Sequence, residues 1–166
     1  MSLKIPLLAV LAGAITLAML NLGHAQAPAG SQGAAPPAYR PGLGDLMTMT
    51  VQPRHTKLGL AGQEKNWVYA AYELHELEEA FERAARVWPT YRTTNITQLL
   101  AATIKDPMEA VSTAIKAADP AKFAEAYGRL TATCNSCHQA TDRGFVVIQA
   151  PKASSFPDQD FRPVKP

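Results

Sequence analysis

The sequence predicts an all-α protein, an antiparallel four-helix bundle. Three observations predict it. Apolar residues recur at spacings of three and four in several separate stretches. No stretch alternates apolar and polar residues convincingly as a strand. Two Asp-Pro pairs, at 106–107 and 119–120, each offer a helix cap followed by proline at the first helical position. The length of 166 residues sets a soft prior of one domain. With 47% hydrophobic and 18% charged residues, the chain can build a core and is not disordered by composition. Lys plus Arg is 16 and Asp plus Glu is 14, so the formal net charge is only +2 and no nucleic-acid groove is expected. The 2 cysteines are too few for a disulfide scaffold.

Residues 1–25 read as a secretory signal. Lys4 supplies the basic start, Ile5 to Leu20 is almost wholly apolar, and Gly23-His24-Ala25 places small residues for cleavage. An uncleaved anchor is the rival reading, because Ile5 to Leu22 is close to spanning length. Pro6 and Gly13 weaken that helix. The expectation is export, with cleavage after about Ala25. Residues 26–42 are rich in Ala, Pro and Gly and read as a flexible leader.

The first helix is expected from about Leu43 to Ala61. Leu43, Met47, Val51, Leu58 and Ala61 supply its stripe, and Asp45 suits the first turn. Pro53 either kinks it or begins its regular part. Gly62 should end it as the residue just past the cap. The second helix is the clearest. Trp67, Ala71, Leu74, Phe81, Ala85 and Trp88 form its stripe, with Leu77 and Ala84 in support. Asn66 should cap it and Pro89 should stop it. The short link between the two helices predicts antiparallel neighbours.

Residues 89–95 read as a loop, and Ile96, Leu99, Leu100 and Ile104 suggest a short helix. The next helix should be capped by Asp106, with Met108, Val111, Ile115 and Ala118 as its stripe. The last should be capped by Asp119 and carry Phe123, Tyr127, Leu130, Cys134, Cys137 and Thr141 on one face, ending at Gly144. The helical bundle then spans 43–143. Residues 144–166 form an extended tail, with Phe156 and Phe161 as surface anchors.

Cys134-Asn135-Ser136-Cys137-His138 is a C-x-x-C-H, the attachment signature of c-type haem. Two cysteines three apart on a helix project from one face, so both reach the two vinyl groups of one porphyrin. The adjacent His138 then reaches the iron as proximal ligand. Export agrees with this, because haem attachment happens outside the cytoplasmic membrane. Three other readings compete. A thioredoxin-like pair should open a helix after a strand, whereas this one closes a helix. A disulfide here would close too small a loop to stabilise much. A zinc site using Cys134, Cys137, His138 and a distant histidine lacks a second paired knuckle.

An exported helical bundle with C-x-x-C-H near the end of its last helix resembles the class II cytochromes c. That group comprises cytochrome c prime and its low-spin relatives. The resemblance covers about Leu43 to Thr141 and is carried by Cys134, Cys137 and His138. It implies one covalent haem c held between helices and often a homodimer. It also implies an Arg on the first helix near a haem propionate, which Arg54 matches. Pro53 and the long segment after Ile148 depart from the family pattern.

The sixth iron ligand separates an electron carrier from a gas binder. A methionine makes the iron six-coordinate and suited to electron transfer. Low-spin members of the family use a Met on the first helix. Met47 shares a face with Arg54 and Leu58, whereas Met49 points away on an ideal helix. Met47 is therefore the first candidate, against the commoner use of Met as a core filler. His55 is the alternative ligand, although a solvated or partner-facing role is simpler for it. High-spin relatives place an apolar residue near the position of Leu58. His75 should lie on the polar face and pair with Glu79. The acidic run Glu73 to Glu82 reads as a solvated face before it reads as a docking surface.

These residues lead to a periplasmic mono-haem cytochrome that carries single electrons between redox protein partners. Membranes would be met only through partner complexes. The alternative is a five-coordinate protein that binds nitric oxide or carbon monoxide. No Ser-His-Asp set, phosphate loop or catalytic carboxylate pair stands out, so an enzyme is not expected.

Overall fold

The computed structural model describes residues 38–164. The expected signal at 1–25 and most of the expected leader at 26–42 lie outside the described residues. From Tyr39 onward the chain packs as one unit. The described residues are mostly helical, as the periodicity predicts, and none of their helices is long and apolar enough to cross a membrane.

The first helix begins as α1 (Leu43–Leu46) and passes through a π-helical segment, Met47–Val51, into α2 (Gln52–Gln63). Pro53 explains the segment. Proline has no N–H, and its ring crowds the carbonyl four residues back. Widening the turn just before it absorbs that conflict, and the Gln52 N–H reaches the Met47 carbonyl instead.

Helix α3 (Trp67–Val87) starts where expected, with the Asn66 side chain accepting from the Tyr69 N–H at 3.2 Å. Its buried face turns slightly from the expected stripe. Leu74, Leu77, Phe81 and Ala84 are buried, but Ala71 is exposed and Ala70, Ala80 and Glu73 take its place. Glu73 is only 1% exposed, so the Glu73–Glu82 run is not wholly a solvated face. A buried carboxylate needs a partner. Arg54 supplies it, with Nη1 3.3 Å from Glu73 and Nη2 3.1 Å from Glu76. This pairing ties α2 to α3.

The expected loop holds a small antiparallel pair, β1 (Thr90–Tyr91) and β2 (Thr94–Asn95), turned by Arg92 at φ 54°. Two residues per strand are too few to show alternation. Then come α4 (Ile96–Thr103), α5 (Lys105–Lys116) and α6 (Pro120–Ala140). Asp119 caps α6 as expected, accepting from the Ala121 and Lys122 N–H groups at 3.0 Å. Asp106 does not cap α5. That helix begins two residues earlier, at Lys105, with Ile104 at the cap and Asp106 in the first turn. Helix α2 packs on α3, α5 on α6, and α3 on α5, while α6 also meets α2.

The expected glycine stops fail in an instructive way. Helix α2 runs past Gly62, and Lys65 takes the left-handed position at φ 59°. At the end of α6, Asp142 at φ 57° does so rather than Gly144. In both turns the N–H of the next residue reaches back to a carbonyl of the last helical turn. Asn66 reaches Ala61 at 2.9 Å and Arg143 reaches His138 at 2.6 Å. Gly62 has another use. A Cβ there would lie 2.0 Å from the Phe123 ring, and one at Gly59 would lie 2.5 Å from the Tyr127 hydroxyl. These two glycines let α2 and α6 approach closely.

The C-terminal segment lies against α2 and α3. Phe161 is buried and stacks on Tyr69 at 5.5 Å. Gln63 donates to the Pro151 carbonyl at 3.0 Å, and Asn66 donates to that of Arg162 at 3.1 Å.

Candidate functional site

Past the glycines, the seam between the first helix and α6 opens into a cavity of about 310 Å³. Met47, Val51 and His55 line it from the first helix. Cys134, Cys137 and His138 line it from α6, because spacings of three and four keep them on one face. Phe81, Ile96, Leu100 and Ile104 close it with apolar surface. The lining is mostly apolar with few polar groups, and the size falls within the ordinary range for ligand and cofactor sites.

His138 is held by an acceptor that periodicity does not reveal. Its Nδ1 lies 2.7 Å from the Val146 carbonyl. A carbonyl only accepts, so Nδ1 carries the proton and Nε2 keeps its lone pair. This is the arrangement that orients an imidazole as a metal ligand. Asn135, inside the motif, anchors the segment that supplies that carbonyl. It donates to the Ile148 carbonyl at 2.9 Å and accepts from the Ile148 N–H at 2.7 Å.

Cys134 and Cys137 are free thiols, not joined to each other. Burial pushes Cys134 up to about 11, and the neighbouring Cys137 adds to the rise. Burial also raises Cys137. Both are therefore protonated at neutral pH. A redox C-x-x-C needs the opposite, a thiol lowered at a helix N-terminus. Here the pair sits at the C-terminal end of α6, where the helix dipole disfavours a thiolate. Among the described residues, no group of three or more His, Cys, Asp or Glu side chains is gathered to hold a bare metal ion.

His55 is 3% exposed, which replaces the expected solvated or partner-facing role. The Thr131 hydroxyl donates to the Tyr127 carbonyl at 2.9 Å, so it accepts from His55 Nε2 at 3.0 Å. The Tyr127 hydroxyl stands 3.1 Å from Nδ1 and 2.8 Å from the His55 carbonyl. Both ring nitrogens are thus engaged, and burial pushes the group down to about 4. His55 forms a neutral floor between the closed and open parts of the seam.

Met47 is half-buried at the cavity wall, whereas Met49 is exposed, as the helical register predicts. Arg54 and Leu58 are not in the wall. Arg54 is committed to Glu73 and Glu76, and Leu58 is fully buried in the core. His75 is exposed and 3.5 Å from Glu79. Sequence reasoning passed over Val146, Asn135, Thr131, Tyr91 and Arg143. Only Asn135 carried a signal, its place inside the motif.

The residues fit a c-type haem. Two thiols and one oriented imidazole face the same apolar cavity, and a thioether stands in its wall. Comparison with protein-family models, with curated proteins and with solved structures found no match to this chain.

Proposed function

We propose that this is an exported, periplasmic mono-haem c-type cytochrome that carries single electrons between redox proteins and is not an enzyme. In this reading the helices form an antiparallel four-helix bundle, with α1 through α2, α3, α5 and α6 as its members and α4 closing one side. The single observation that carries it is the meeting of Cys134, Cys137, His138 and Met47 in one apolar cavity, with His138 Nδ1 occupied and Nε2 free.

Cys134 and Cys137 would hold a haem covalently through their sulfurs. His138 Nε2 would ligate its iron. The Val146 carbonyl keeps that ring oriented. Met47, in the cavity wall, would offer the iron a thioether ligand. The haem contributes an iron that changes oxidation state by one electron. Phe81, Ile96, Leu100 and Ile104 would face it with apolar surface, which limits the reorganisation that accompanies a charge change. Met47 favours electron transfer over capture of nitric oxide or carbon monoxide. His55 is less suited as a distal ligand, because Thr131 and Tyr127 already engage its nitrogens.

Expression with a haem-attachment system tests the reading. The mature chain should gain a haem's mass that survives acid–acetone extraction, and exchanging both cysteines for Ser should abolish the gain. An unmodified mass overturns the proposal. The ferric holoprotein should show a weak thioether band at the red end of its spectrum, lost in Met47→Ala. A high-spin protein that takes carbon monoxide readily would instead favour the gas-binding alternative.

A further inference from the structure

We infer that Arg143, seated on the Tyr91 hydroxyl, forms a carboxylate-binding subsite in the cavity wall and takes a propionate of the haem. This rests on the haem reading above. Among the described residues, Arg143 is the only Lys or Arg in the lining of the cavity. Its Nη2 donates to the Tyr91 hydroxyl at 3.3 Å, and its Nη1 donates to the Asp142 carbonyl at 3.1 Å. Both acceptors are neutral. Among the described residues no carboxylate forms an ion pair with it. The guanidinium has five N–H donors, so several remain for a bidentate anion. A propionate entering a mostly apolar cavity needs such a partner.

The backbone makes this placement firm. Asp142 turns left-handed after α6, and the Arg143 N–H closes on the His138 carbonyl at 2.6 Å. The subsite is therefore built onto the residue proposed as proximal ligand. Tyr91 enters from β1 and gives the guanidinium a fixed seat. Arg92 stands 5.7 Å from the same ring but outside the cavity wall, which makes it a matched control. Arg54, the propionate partner implied by family resemblance, is spent on Glu73 and Glu76.

The test uses the full chain carrying Cys134→Ala and Cys137→Ala, so that uptake becomes a reversible equilibrium. Haemin and haemin dimethyl ester, whose carboxylates are masked, are titrated into it. The free acid should bind at least about tenfold more tightly than the ester. Arg143→Gln should bring that ratio close to one, Arg143→Lys should keep part of it, and Arg92→Gln should leave it unchanged. Equal affinities in the parent, or an undiminished ratio in Arg143→Gln, overturn the inference. Uptake of neither form by the parent also overturns it if the native chain attaches haem, because a built carboxylate site should hold the free acid without thioethers. A native chain that attaches no haem removes the underlying reading instead.

Discussion

At one end of the seam between the first helix and α6, Gly59 and Gly62 let Tyr127 and Phe123 pack against helix backbone. At the other end, Met47 and Val51 face Cys134, Cys137 and His138 across open volume. The same two helices make both ends. Where the first helix lacks Cβ atoms, aromatic rings fill the space and nothing else can enter. Where it carries side chains and a π-helical segment, the walls stay apart. His55 marks the border, with hydrogen bonds to Thr131 and Tyr127 that hold the closed end's last layer in place. Rigidity and capacity are thus divided along one interface, and the packed end supports the open one.

The largest expected contrast is between two phenylalanines. Phe123→Ala empties the closed end and should cost about 4–5 kcal/mol in chemical denaturation. Phe81→Ala removes a side chain that already borders open volume, so its cost should fall nearer 3 kcal/mol. Equal losses would break the distinction between a filled and an open end.

The glycines give the next contrast. Gly62→Ala puts a Cβ into the Phe123 ring and should destabilise by about 3 kcal/mol. Gly44 lies in the cavity wall, and a Cβ there meets nothing within 4 Å. Gly44→Ala should be neutral or stabilising by up to about 1 kcal/mol. A Gly62→Ala protein as stable as the parent would show that the seam can relax.

The border should reveal itself in acid. His55 titrates at 6.5 when unfolded and is pushed down to about 4 in the fold. The unfolded state therefore binds more protons between those values. The stabilisation is complete above pH 6.5 and is lost as pH falls toward 4, roughly 3 kcal/mol in all. His55→Gln should flatten that part of the stability profile. A parent whose stability is constant from pH 6.5 to 4 would contradict the buried, neutral His55.

The smallest effect concerns the thiols of the open end. With Cys134 pushed up to about 11 by burial, its thiolate at pH 8 should be roughly a hundredfold scarcer than that of an ordinary cysteine. Alkylation of the folded apoprotein should be slower by a similar factor and should recover in denaturant. Equal rates in both states would show that the thiols stand in water rather than in the cavity wall.

The sequence by itself determined the helical class, the Asn66 and Asp119 caps, and the shared helix face of Cys134, Cys137 and His138. These are local matters. Helical spacing, capping side chains and a five-residue motif act over one or two turns, so the order of residues carries them. It also placed Met47 and Met49 on different sides of the first helix, because register is local too. Only the tertiary structure decided what each glycine is for. Gly62 looks like a helix stop in the chain, yet Phe123 comes from a helix some sixty residues away and needs the space. Lys65 and Asp142 then accept the left-handed turns, since the hydrogen bonds they close offset a modest steric cost. The same holds for Arg54 and His55. Resemblance points Arg54 toward haem and imidazole chemistry makes His55 a candidate ligand, but Glu73 on α3 claims one, while Thr131 and Tyr127 on α6 claim the other. Charge pairing and burial depend on which helices meet, and that information lies in the packing of the whole unit rather than in any window of the chain.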